Sequence, residues 1–161
     1  MAASSGDATT YVSAEHMDAT WSAVGASGAR NVESMQKRHG KAQKALCRYV
    51  YKYLLDNLRE DAAGVGLYAY HVLIEAFLRA RPGLRAVRAP MIQRVQGARP
   101  ESGNYADLVA ESPEPHAMQY VYDVLFDSDD DEVELSAQEQ AYCWEILHTA
   151  VLCLHEARVR P

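Results

Sequence analysis

Between Leu67 and Ala80 the chain is apolar on almost every side, interrupted only by His71, Glu75 and Arg79. A helix with no polar face to turn toward water has to be surrounded by other elements, so this segment belongs at the centre of a helical domain. Gly64 and Gly66 mark a connection before it, and Pro82-Gly83 stops it. The rest of the chain must therefore supply a jacket of amphipathic helices.

The pattern supplies them. From Ser34 to Arg59, apolar residues Ala42, Leu46, Val50, Tyr53, Leu54 and Leu58 recur at three- and four-residue steps, which predicts one long amphipathic helix. A short helix is expected from about Pro90 to Gln96, with proline at its first position. Ser112-Pro113-Glu114-Pro115 opens a third long helix with Met118, Val121, Tyr122 and Leu125 on one stripe. Ser136 and Glu139 have capping-box spacing, so a last helix is expected from there to about Arg158. Residues 1–30 are mostly small and polar and read as a flexible N-terminal arm. Within that arm, Tyr11, Val12, Met17 and Trp21 are material for a short docking helix capped by Ser13.

The long helices resemble one another in pairs. Tyr49-Val50-Tyr51-Lys52-Tyr53-Leu54-Leu55-Asp56 lies over Tyr120-Val121-Tyr122-Asp123-Val124-Leu125-Phe126-Asp127. Downstream, Tyr68, Tyr70, Val72, Leu73, Ala76 and Leu78 lie over Tyr142, Trp144, Ile146, Leu147, Ala150 and Leu152. Matches in fixed order suggest a duplicated hairpin. The expected fold is all-α: two antiparallel helix hairpins packed as an irregular four-helix bundle. Residues 31–161 form the helical domain, with hairpin one at 34–81, an Arg-rich connector at 82–111 and hairpin two at 112–158.

Charge divides along the same line. Residues 100–157 hold fourteen Asp and Glu and no Lys or Arg, whereas residues 30–99 hold fourteen Lys and Arg against five acids. Lys37, Lys41, Lys44, Arg48 and Lys52 fall on one face of the first long helix, opposite its apolar stripe. Such a face is a candidate anion- or partner-binding surface. Sequence-specific nucleic-acid binding lacks a supporting motif.

Catalytic signatures are sparse. His71 and Glu75 stand four apart, and Glu145 and His148 form an E-x-x-H, spacings used by metal sites inside helix bundles. A di-iron carboxylate site needs a second E-x-x-H and two more Glu, which are missing. Asp127, Asp129 and Asp131 imitate a calcium loop, but Glu132 and Gln138 stand where that loop needs glycine and a closing Glu. No nucleophile elbow, phosphate loop or zinc-protease motif is present. Cys47, Cys143 and Cys153 have no paired spacing and read as buried free thiols. No stretch approaches the roughly 20 apolar residues of a membrane span, and no signal peptide is visible, so a cytoplasmic location is expected.

The function this predicts is a non-catalytic interaction or regulatory module, needing no cofactor, that binds a protein partner through its charge-polarised faces. Pairing between copies is left open. The alternatives are a metal-dependent helix-bundle enzyme using His71, Glu75, Glu145 and His148, and phosphate or nucleic-acid binding through the basic helix.

Overall fold

A computed structural model describes residues 10–99, 104–127 and 133–157. Among these residues every regular element is a helix: α1 (Ala14–Ala26), α2 (Ala29–Ala42), α3 (Lys44–Asn57), α4 (Glu60–Ala80), α5 (Ala89–Ala98), α6 (Tyr105–Glu111), α7 (Pro115–Phe126) and α8 (Ala137–Glu156). None is long and apolar enough to cross a membrane.

The apolar segment is at the centre, as its composition requires. Ala69 through Phe77 are buried without interruption, and α4 packs against α1, α2, α3, α7 and α8. Gly64 and Gly66, expected in a connection, lie inside α4 instead, and Gly66 shows how close the packing is. A methyl group there would sit 2.9 Å from Leu54 Cδ1 on α3 and 3.4 Å from Cys143 Sγ on α8, both on fully buried side chains. At Gly64, two residues away, nothing lies within 4 Å. Gly64→Ala should therefore stabilise the protein by about 0.5–1 kcal/mol through helix propensity alone. Gly66→Ala should destabilise it, because overpacking costs about 1–3 kcal/mol against the same gain. Urea denaturation of both variants checks the pair, and equal signs would contradict this packing.

Four departures from the sequence reading have physical causes. The predicted Ser34–Arg59 helix is two helices, broken at Gln43, where φ is −133° and ψ 60°. The Gln43 side chain is fully buried; its amide donates to the Arg85 carbonyl (2.9 Å), and its oxygen accepts the Val87 N–H (2.7 Å). A break that satisfies the backbone of a distant segment leaves no trace in hydrophobic periodicity.

The second departure is at the N-terminus, read as an arm. Residues 14–26 form α1, which packs on α4 and α7 with Met17, Thr20 and Val24 buried. Ser13 caps it as its type suggests, but Trp21 points outward, 51% exposed. The anchor is Glu114, also fully buried, which accepts the backbone N–H groups of Tyr11 (3.1 Å) and Val12 (3.2 Å). His155 Nδ1 lies 2.7 Å from Oε2 of the same carboxylate, the oxygen that also takes the Tyr11 N–H.

Third, the connector carries α6, capped by Asn104, in addition to the expected proline-started α5. Fourth, among the described residues eight helices stand where four long ones, a short one and a short docking helix were expected. The helix predicted from Ser136 is present as α8, with both bonds of its capping box formed. The acidic run beyond Asp127, and with it the calcium-loop comparison, lies outside the described residues.

Candidate functional site

Three helices bring a polar cluster into the core. The inner face of α2 reads Val32, Met35, His39, so a histidine occupies an apolar register position on an otherwise charged helix. α3 contributes Cys47 and Tyr51, and α4 contributes Tyr70, His71 and Glu75. His39, His71 and Glu75 are all buried.

Their contacts form a chain. Glu75 Oε1 lies 2.8 Å from His39 Nε2, His39 Nδ1 lies 2.8 Å from His71 Nδ1, and His71 Nε2 lies 2.6 Å from the Tyr51 hydroxyl. The two imidazoles stack with centroids 5.1 Å apart. An ionised carboxylate can only accept, so His39 Nε2 carries hydrogen and donates. With both rings neutral, His39 Nδ1 accepts from His71 Nδ1–H, and His71 Nε2 accepts from Tyr51. Every hydrogen then points from Tyr51 inward to Glu75.

The electrostatics agree with that assignment. Burial lowers His39, only partly opposed by Glu75, and burial with the charge of His39 pushes His71 down to about 4. Burial alone would raise Glu75. The hydrogen bonds from His39 and Arg79 and the charge of Arg38 outweigh it and leave the carboxyl below its usual range. Arg79 Nε donates to Glu75 Oε2 at 3.0 Å, and Arg38 reaches Oε1 at 3.4 Å. Beside the chain, Cys47 Sγ is 3.0 Å from the Tyr70 hydroxyl, and burial raises both groups. A thiol held protonated in this way is a poor nucleophile.

The outer end of the chain meets solvent. A cleft of about 390 Å³ is lined by Gln36, Gly40, Lys44, Cys47, Arg48, Tyr51 and His71. Two residues of the predicted basic face, Lys44 and Arg48, therefore line the opening above the Tyr51–His71 pair. Lys41 and Lys52 are exposed on either side, and Lys37 pairs with Glu33 at 3.5 Å.

The metal alternative receives no such convergence. His71 and Glu75 join through His39, whereas Glu145 pairs with Arg99 (3.2 Å) and the His148 ring lies tilted beside Trp144, centroids 5.7 Å apart. Among the described residues no group of three His, Cys, Asp or Glu is placed to hold a metal. His148 is buried, with no hydrogen-bond partner on Nδ1 among those residues, and burial together with the charge of Arg99 holds it down at about 4.

Sequence reasoning missed His39 and Tyr51. The legible signal was the histidine in the apolar register of α2; its partners on α3 and α4 were set by packing. No family model, curated protein or solved structure matches the chain.

Proposed function

We propose that this protein is a non-catalytic interaction module that holds an acidic segment of a protein partner along Lys41, Lys44, Arg48 and Lys52. One observation carries the reading. Among the described residues these four exposed cations have no acidic partner and lie close in sequence. Among the same residues Arg38, Arg59, Arg79, Arg94 and Arg99 are engaged by Glu75, Glu139, Glu156 and Glu145, and the other unpaired exposed cations, Arg30, Arg85 and Arg88, lie apart from the four in the chain. Lys44, Arg48 and Lys52 share one side of α3 at four-residue steps, with Lys41 at the end of α2 just before them, and an acidic strand reads such a row directly. Nucleic acid fits less well, because a duplex extending beyond four cations meets a molecule of net charge −6.

The two halves of the chain support a related proposal, that the domain arose by duplication. Gln43 and Glu114 hold the same place before α3 and α7, with closely similar backbone angles (φ −133°, ψ 60° and φ −125°, ψ 69°). Each accepts a valine N–H from the leading segment of the other half, Val87 or Val12. The helix pairs repeat as well: α1 with α4 and α7, and α5 with α8 and α3. On this reading the repeated unit has four helices, and the basic face belongs to the first copy only.

The test is binding of fluorescent poly-L-glutamate and of duplex DNA to the full chain at low and high salt. Poly-glutamate should bind at about 0.01 M salt and weaken toward 0.15 M as the Debye length shrinks from about 30 to 8 Å. Lys44→Glu/Arg48→Glu should weaken it by at least about tenfold. Unchanged affinity in that variant would sink the proposal. Tighter binding to DNA would transfer the face to nucleic acid. A low-salt mass increase that the variant abolishes would make the partner a second copy.

A further inference from the structure

We infer that the cleft over Tyr51 and His71 is a binding site for a phosphomonoester group, and that its occupation is coupled to uptake of one proton by the His71–His39 pair. The inference rests on the basic-face reading only for its rim; the coupling is a property of the chain of bonds beneath.

The rim supplies charge. Lys44 and Arg48, one turn apart, line the cleft with no acidic partner among the described residues. They lie at the start of α3, a helix with no capping side chain and no acid in its first turn, because Gln43 is spent on Arg85 and Val87. Two adjacent cations suit a compact dianion better than a single carboxylate. The volume of about 390 Å³ admits a phosphate with an organic group attached.

The floor supplies the coupling. In the free protein the Tyr51 hydroxyl donates to His71 Nε2. If His71 gains a proton at Nε2, the bond reverses, and Tyr51 accepts from Nε2–H. The other links survive unchanged: His71 Nδ1–H still donates to His39, and His39 Nε2–H to Glu75. The added charge is then shared along a line that ends on a buried carboxylate. Only the Tyr51 O–H loses its acceptor, and an anion oxygen in the cleft replaces it. The balance is one proton from solvent to His71 Nε2 for each anion bound, with no covalent bond made or broken.

α1 places His16 on the Ala76 carbonyl (3.0 Å), Tyr68 bears on Tyr120 of α7, and Cys153 of α8 and Cys47 of α3 bear on Tyr70. Arg38 bears on His39, against its protonation, and with Arg79 on Glu75, while Lys44 and Arg48 face the cleft itself.

The experiment is calorimetric titration of the full chain with sulfate, a dianion that does not titrate in this range, and with phenyl phosphate, each in buffers of different ionisation heat. Binding should take up close to one proton near pH 6, and sulfate affinity should rise by up to about tenfold per pH unit as pH falls. Tyr51→Phe, which keeps the ring, should still bind sulfate but change the proton uptake and its pH dependence. Lys44→Glu/Arg48→Glu should lose binding at least about tenfold. A serine-phosphorylated peptide competing better than phenyl phosphate would identify a partner side chain as the source, and the reverse a free metabolite. No sulfate or phenyl phosphate binding at millimolar concentration would overturn the site, even if poly-glutamate bound. Binding with proton uptake identical in wild type and Tyr51→Phe would overturn the coupling.

Discussion

Glu114→Ala should cost about 3–5 kcal/mol of folding stability, the range for removing one partner from a buried, hydrogen-bonded charged group. The loss has an identifiable origin. The Tyr11 and Val12 N–H groups and His155 all converge on that carboxylate, and Val12 is itself fully buried. Without the acceptor these donors stay desolvated and unpaired, and α1 loses its tether to α7. Glu114→Gln should cost far less, because the amide oxygen can still take the backbone donors, as the Gln43 amide takes Val87 N–H. His155 can then accept from the amide nitrogen in its other tautomer. Urea unfolding measures both, and hydrogen exchange across residues 14–26 should rise in the alanine variant alone. An alanine variant within 1 kcal/mol of wild type would mean that the carboxylate does not hold the N-terminal segment.

The protein should also lose stability steeply between pH 6.5 and pH 4. His71 and His148 are neutral in the folded protein and held down at about 4, mainly by burial. In the unfolded chain they return to the ordinary 6.5. Above that value neither state is protonated and the stability is complete. As the pH falls below it, the unfolded chain takes up protons that the folded one refuses, and stability declines until the folded value is reached. Each histidine should contribute a slope approaching 1.4 kcal/mol per pH unit, and on the order of 3 kcal/mol in all. His39 shifts in the same direction and adds to the decline. Glu75, whose carboxyl is lowered, acts only at the acid end, where its own stabilisation is lost as it protonates. Denaturation midpoints at pH 7, 6 and 5 are the check, with His148→Gln expected to flatten the profile by one histidine's share. A profile level from pH 7 to 5 would show that the buried imidazoles are not excluded from protonation.

The elements legible in the sequence were those whose cause is local. The apolar run around Leu73 had to be central because it carries no polar face, and α4 is central. The Ser136 and Glu139 capping box and the proline at the start of α5 were readable because each is satisfied within one turn of its own helix. Residues four apart in a helix share a side whatever lies around them, so Lys44, Arg48 and Lys52 fall together on α3, whereas Lys37 and Lys41 lie on α2 beyond the break at Gln43.

Tertiary structure decided what depends on distant partners. Gln43 interrupts a helix that periodicity continues, because its side chain reaches the backbone at Arg85 and Val87. The docking helix capped by Ser13 was legible, but its anchor was not, because Glu114, about a hundred residues away, supplies the acceptors that let the backbone of Tyr11 and Val12 be buried. His71 and Glu75 were noticed at their helical spacing, but their meaning changed when His39 was placed between them and Tyr51 beyond them. The physical reason is the same in each case. A polar group buried in the core must be paired, and a sequence records which residues need partners without recording which ones the fold supplies.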